Sequence, residues 1–419
     1  MTRRVAITGI GVLSPLGIGT DALWHGLRDG RSGLGPITRF EASALPSRIV
    51  GEVPGFDPKD YLDRKERKRL AIMPRPMQMA AAGAKLALDD AHIPAGSLDP
   101  ERFGVIFGVG TLSDDLSPLG AASHLATDAG TKPLDYAIWG RDGLPKIPPR
   151  WLLNHIPNMP ASHVSALHDA RGPCNSITQT ELGGLLAMGE AFRMIQRDRG
   201  DVFLTGGGDC RCDSLTLTRS TLFLPLSRRN DDPTRACRPF DRERDGHVLA
   251  EGGGVLVLED WDHARRRGAM IHAEVIGFAS GFDTQRDGRG LTRVIRRALE
   301  VAGITSADLD HVNARGSGAI DDDIIEAQGL RDFGPVPVLG IRGAVGHTCV
   351  ASAGIELAAS LLAFRHGSVP PTRNCDHLDP RCPLDVLREP RPVVRDYVLK
   401  VSGTECGQWA ALVVKAVRT

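Results

Sequence analysis

The sequence lacks a net charge: 51 Lys and Arg balance 51 Asp and Glu. No global field therefore draws it to nucleic acid or an anionic membrane, and an acidic partner would need a local basic patch. It also lacks any apolar run near the roughly 18 residues a membrane span needs. The opening MTRRVAITGIGVLSPLG sets two arginines before an apolar run. Glycines and Pro15 break that run and no small-residue cleavage site follows, so it reads as strand and loop rather than signal peptide. Zinc-spaced cysteine pairs are missing. The eight cysteines (174, 210, 212, 237, 349, 375, 382 and 406) are scattered, and only Cys210 and Cys212 stand close. Free thiols in a reducing, cytoplasmic setting are the expectation. No low-complexity tail or linker is evident. Gly206, Gly207 and Gly208 are followed by no Lys-Ser/Thr, so they are expected to allow close strand approach rather than cradle a phosphate.

What is present is a globular composition, 42% hydrophobic and 24% charged with 48 glycines over 419 residues. That length holds two or three domains, or one large duplicated α/β unit. Strand-like runs at 5–11, 104–110 and 201–207 alternate with helix-like runs, one over 21–30 that Thr20 and Asp21 are expected to cap and one at 76–92. In the helix expected after 182, Leu185, Met188, Phe192 and Ile195 share one face. The second half repeats the rhythm, with strands at 274–280, 311–316 and 336–341 and helices at 291–303, 321–333 and 351–367. YVLKVSG and WAALVVKAV close the chain. Alternation of this kind predicts α/β layers, and the repeated rhythm a duplication, divided here as 1–253 and 254–419. Residues 111–160, rich in Pro, Gly and polar groups, are expected to form an insertion.

One stretch, GPCNSITQTELGGLLAMGEAF (172–192), has the form of a turn presenting a side chain at a helix start. The side chain there is Glu181, a poor acyl acceptor, while Cys174 stands seven residues too early.

The chain resembles the β-ketoacyl-acyl-carrier-protein synthases, condensing enzymes of the thiolase superfamily. The resemblance runs nearly end to end, through VAITGIGVLSPLG, ITRFEAS, GEVPGFDPKDYLDRKERKR and GPCNSI. It continues through LPLSRRNDDPTRACRPFDRERDGHVLAEGGGVLVLE, HVNARGSG, GAVGHTCVASAG and VPPTRN. It implies a thiolase-like layered αβαβα fold in two duplicated halves. It also implies a chemistry in which a cysteine at a helix start accepts the acyl chain, helped by the helix dipole. Two histidines then stabilise the enolate formed when malonyl-carrier protein loses carbon dioxide. No cofactor is implied beyond the acyl carrier protein's phosphopantetheine arm, which acts as substrate.

Carried over residue by residue, the resemblance puts the cysteine at Glu181 and the first histidine, expected in Asn-Ala-His-Gly, at Arg315. It retains the second histidine as His347, puts the lysine at Arg342, and retains the glutamate as Glu326. The late glycine-rich gating loop becomes SGTECGQW (402–409), which brings Thr404 and Glu405 to the site. Four of the six features differ.

Attack by Glu181 on a thioester would give a mixed anhydride, higher in energy than the thioester, so no acyl-enzyme should accumulate. Condensation by this chain alone is not expected. Glu181 has a bland reading as a residue suited to a helix N-terminus, worth about 0.3–1 kcal/mol. The sharper expectation is a compensated ion pair of Glu181 with Arg315 in a mostly apolar pocket. The pattern resembles the chain-length factors, non-condensing partners of type II polyketide ketosynthases, although those usually carry glutamine here. Two alternatives stay open. One is a malonyl-carrier-protein decarboxylase using His347 and Arg315 as donors to the enolate oxygen. The other is a homodimer that binds carrier protein without chemistry.

Glu326 and Arg342 are expected to form a structural ion pair. Asp321, Asp322 and Asp323 suit the opening of a helix without a metal. For an acidic carrier protein, Arg64, Lys65, Arg67, Lys68 and Arg69 form the densest basic cluster, and Arg265, Arg266 and Arg267 a second. The resemblance implies dimerisation, with the chain itself or an active ketosynthase, through a strand near 201–207.

Overall fold

The computed structural model describes residues 2–110, 112, 116–127 and 133–417. Ten strands form one continuous path, and its order exposes a duplication. In the first half the order is Cys174–Ile177, Phe103–Gly108, Val202–Cys210, Leu249–Asp260, Val5–Ser14. In the second it is Val338–Leu339, Leu309–Asn313, Tyr397–Gly403, Gln408–Ala416, Ala273–Phe282. Numbered within its own half, each reads 3-2-4-5-1. The pairing senses repeat as well: the first two contacts of each half are parallel and the last two antiparallel. The halves join where Val5 pairs antiparallel with Val275.

Five layers follow. Helix Arg75–Asp90 covers the outer face of the first half, and Arg289–Ala302 that of the second. Between the halves lie Gly183–Gln196 and Ser352–His366. The second of these is buried from Ser352 through Ala363, as a helix hydrophobic all round must be. In the first, Leu185, Met188, Phe192 and Ile195 are all buried, the face their spacing predicts. Among the described residues no helix is long and apolar enough to cross a membrane.

Most expected elements are present within a few residues of their predicted bounds. Thr20 and Asp21 do not cap their helix, whose N-cap is Gly19 without a side-chain bond. The strand expected at 336–341 contracts to Val338–Leu339. The central strand Leu249–Asp260 was not anticipated from its sequence, because its EGGG opening does not read as strand. Its glycines are required by packing from both faces: a Cβ at Gly253 would meet Met79 O at 2.8 Å, and one at Gly254 would meet Ala351 O at 2.5 Å. The division at 253/254 falls within this strand. Gly206 has φ +125° and touches the same strand, where a Cβ would lie 2.0 Å from Gly254 O. Close approach is thus the use of the 206–208 run.

Val202–Cys210 is bonded on both sides, to Phe103–Gly108 and to Leu249–Asp260, so the strand expected near 201–207 as a dimer seam is interior. At that end of the sheet the strand paired on one side only is Cys174–Ile177. Part of the insertion expected at 111–160 lies outside the described residues. Its described parts include helix Ser117–Leu125 and short turns from Tyr136 to Asn154. Helix Met159–His168 begins inside the expected insertion yet belongs to the outer layer, with Ala161 and Val164 in the core it shares with Arg75–Asp90.

Candidate functional site

The turn at 172–192 is a short strand, a one-turn 3-10 segment Thr180–Leu182, and helix Gly183–Gln196. Thr180 has φ +41°, a left-handed conformation a β-branched residue adopts only under constraint. It sets Glu181 inside the interface between the halves, 3% exposed. Arg315 arrives from beyond strand Leu309–Asn313 and is 1% exposed. Its Nη2 donates to Glu181 Oε1 at 2.6 Å, and its Nε lies 3.1 Å from both carboxylate oxygens. The expected Glu181–Arg315 contact is therefore present.

The surroundings differ from the apolar pocket expected. Arg315 Nη1 donates to Asp322 Oδ2 at 2.9 Å, and Arg342 Nη1 donates to Glu181 Oε2 at 3.1 Å. Arg342 Nε donates in turn to Glu356 Oε1 at 2.8 Å, and Lys400 Nζ lies 2.5 Å from Glu356 Oε2. Three cations (Arg315, Arg342, Lys400) thus alternate with three carboxylates (Glu181, Asp322, Glu356). Burial alone would push the Glu181 carboxyl up, but the Arg315 and Arg342 guanidinium groups outweigh it and hold it well below the usual carboxylate range. Burial also acts against the Arg315 guanidinium, and Glu181 and Asp322 more than offset it.

The Glu326–Arg342 pair does not form. Arg342 is partnered by Glu356, while Glu326 accepts backbone N–H groups of Arg315 and Gly316 at 2.7 and 2.8 Å. Glu326 thereby holds the turn that aims Arg315. Burial, with the Asp323 charge beside it, pushes its carboxyl up to about 7. Glu356 and Lys400 escaped the sequence reading. Their signal was a lone acid in SAGIELAASLL and a lone base in YVLKVSG, each a charge on an element otherwise buried. Two of the three acids opening helix Ile320–Arg331 are likewise held by protein partners, Asp322 by Arg315 and Asp323 by the N–H groups of Ser317 and Phe240, while Asp321 is exposed.

His347 lies at the other side of Glu181, with Nδ1 3.6 Å from Oε2 and no hydrogen-bond partner. Burial drives its pKa well below the ordinary value despite Glu181, so the ring is neutral. Thr404 and Glu405 sit in the turn joining Tyr397–Gly403 to Gln408–Ala416, closed by Thr404 N to Gln408 O at 2.9 Å. Gln408 also bonds the Gln179 side chain, tying this turn to the one that carries Glu181. What remains open is a cavity of about 80 Å³, lined by Glu181, His347 and Glu405 together with Arg211, Leu224 and Cys349. Arg211 and Cys349 were not singled out from the sequence.

Of the basic cluster, Arg64, Lys65, Arg67 and Lys68 are exposed. Arg69 is half-buried and turned to Glu66. In the second cluster Arg265 and Arg266 are exposed. Arg267 is not available there, because it grips Glu259 with two bonds of 2.7 Å. Cys174 is exposed on the edge strand, away from the charge chain.

Comparison with known proteins agrees with this architecture. A profile described as beta-ketoacyl synthase, N-terminal domain, matches residues 2–264, and its C-terminal counterpart matches 271–376. The 3-oxoacyl-acyl-carrier-protein synthase 2 of Synechocystis sp. is 35% identical over 413 residues, covering 96% of this chain and 95% of that protein. The tetracenomycin polyketide synthase ketoacyl synthase alpha subunit of Streptomyces glaucescens is 35% identical over 444 residues, covering 100% and 98%. Among solved structures, the ishigamide ketosynthase/chain length factor superposes with a TM-score of 0.87 at 29% identity, covering 100% of both chains. A type II polyketide synthase acyl-carrier protein in complex with its ketosynthase bound to the hexaketide gives 0.85 at 27%, again covering 100% of both. With both family domains matched and full-length relatives above 30% identity, this chain belongs to the β-ketoacyl synthase family.

Proposed function

We propose that the chain is a non-condensing partner subunit, of chain-length-factor type, in a type II fatty-acid or polyketide synthase. The observation that carries this reading is the double engagement of Glu181 by Arg315 and Arg342. A carboxylate held ionised between two guanidinium groups has no thiolate's capacity to accept and release an acyl chain. A cavity of only about 80 Å³ beside it supports the same reading. So do relatives named as ketosynthase subunits and a structural neighbour named as a ketosynthase/chain length factor. Carrier protein would dock on the exposed Arg64, Lys65, Arg67 and Lys68, and a partner subunit would extend the sheet at Cys174–Ile177.

One observation favours the decarboxylase alternative: His347 lines the cavity, and its buried Nδ1 has no hydrogen-bond partner. Against it, Arg315 gives Nε and Nη2 to Glu181 and Nη1 to Asp322, so it is not free to meet an enolate oxygen. The Glu181 charge would also repel a malonate carboxylate. The carrier-binding homodimer differs from the main reading only in what occupies the edge strand.

Co-expression with an intact type II ketosynthase, followed by size-exclusion chromatography, tests the reading. A one-to-one complex that elongates malonyl-carrier protein, while this chain alone does not, is the expected result. Failure to co-purify, with a self-dimer persisting, would shift the reading to the homodimer.

A further inference from the structure

The far end of strand Phe103–Gly108 from Glu181 borders a second hollow. Gly108, at one end, packs against the helix start at Gly183, while Phe103, at the other, lines the hollow. Its walls are helix Arg75–Asp90, the turn at 93–100, the last turn of helix Met159–His168 and the segment 61–66. The volume is about 450 Å³, within the range of roughly 300–1,000 Å³ typical of small-molecule pockets. None of its residues lines the cavity beside Glu181, and it shares only Lys65 with the basic cluster at 64–69.

The floor is apolar and the charges of the rim cancel. Leu62, Leu88 and Phe103 are buried in the floor, and Ile93, Leu98 and Leu167 are partly covered. At the rim, Lys85 Nζ holds the two oxygens of Asp89 at 2.6 and 2.5 Å, Arg171 holds Asp169, and Arg69 holds Glu66. That leaves Asp63 and Lys65, one charge of each sign, without an ion pair among the described residues. The pocket thus offers no net charge to an ionic ligand, and an ionic head would give up water with nothing to compensate it.

His168 supplies the polar group. It ends helix Met159–His168 and lines the pocket, and its ring makes no hydrogen bond among the described residues. Burial and the Lys85 charge push its pKa down to about 4 against Asp89, so near pH 7 the ring is neutral. A neutral imidazole offers one N–H donor and one nitrogen acceptor. An uncommitted donor and acceptor beside an apolar floor suit a ligand with an apolar chain and an uncharged hydrogen-bonding head.

We propose that this pocket binds a neutral amphiphile, an aliphatic chain ending in an amide or hydroxyl, with the head on His168 and the chain against Leu88, Leu98 and Phe103. The site is separate from the Glu181–Arg315 lock and stands whether or not the partner-subunit reading holds.

Isothermal titration calorimetry of the full chain with octanamide, octanoate and octylamine tests it, since the three share a tail and differ in the charge of the head. Octanamide should bind at one site, at least about tenfold more tightly than either charged ligand. His168→Phe should weaken octanamide binding about tenfold, while His168→Gln, which keeps a donor and an acceptor, should retain most of it. Ile93→Trp, which fills the hollow, should abolish it. Should His168→Phe fail to fold, the Ile93→Trp variant and the three ligands decide. Octanamide that does not bind saturably overturns the proposal. So does octanoate or octylamine that binds as tightly as octanamide, or an octanamide affinity unchanged in His168→Phe or Ile93→Trp.

Discussion

Glu181 Oε1 and Arg315 Nη2 are 2.6 Å apart, although the residues lie 134 positions apart in sequence. The contact closes the interface between two duplicated halves, at the place where the family resemblance puts a nucleophile and a histidine. Both charges are buried, so their attraction acts in a medium that screens it far less than water does. Removing both partners should therefore cost less than the two single removals added together.

Glu181→Ala leaves Arg315 and Arg342 facing one another in the core. The expected loss is about 3–5 kcal/mol of unfolding free energy, read by urea denaturation. The Glu181→Ala/Arg315→Ala double variant should lose less than the sum of the single variants, because the pair is coupled. Additive losses would show that the two act independently.

Restoring a condensing site requires both ends of the lock to change. Glu181→Cys alone places a thiol beside Arg315 and Arg342 but leaves no histidine at 315, and Arg315→His alone leaves a carboxylate. Only the Glu181→Cys/Arg315→His double variant should form condensed product from acyl- and malonyl-carrier protein. Product from Glu181→Cys alone would show that Arg315 can serve in place of the histidine.

Glu326 carries a pH dependence of definite sign. Its folded pKa, about 7, lies above the ordinary 4.5, so the folded state binds the extra proton between those values. Its contribution to stability is complete below the ordinary value and is lost as pH rises through about 7. The melting temperature should fall over that interval relative to Glu326→Gln, whose profile should be flatter. Parallel profiles would place the proton elsewhere.

The edge strand Cys174–Ile177 supplies the test of assembly. The Ser176 N–H donates to Asn175 Oδ1 at 2.8 Å, a local bond that a strand added outside would replace. Ser176→Pro removes that donor and should prevent the proposed pairing with a second subunit while leaving the fold in place. An unchanged elution volume would put the seam elsewhere.

Carrier docking should be electrostatic. Reversing Arg64, Lys65, Arg67 and Lys68 to Glu should weaken carrier-protein binding at least about tenfold at low salt and flatten its salt dependence. The same reversal at Arg265 and Arg266 should have little effect.

The layered fold was legible because the strands and helices of this chain keep their periods, and each half repeats the same order. The strand Leu249–Asp260 was hidden because its glycines serve contact with two helices rather than strand propensity. The Glu181–Arg315 pair was legible because two adjacent family positions changed to opposite charges together. Arg342 was assigned to Glu326 instead of Glu356, because spacing along the chain does not show which carboxylate a buried guanidinium reaches through the interior. The seam was placed on Val202–Cys210 because apolar content does not separate a central strand from an edge; only the pairing on both sides does.

The most direct measurement is mass spectrometry of malonyl-loaded acyl-carrier protein after incubation with the purified chain alone, beside Glu181→Ala and His347→Ala. The account predicts that malonyl-carrier protein survives unchanged with the unaltered chain. Acetyl-carrier protein that forms with the unaltered chain and fails to form with His347→Ala would contradict it, and would make the chain a decarboxylase.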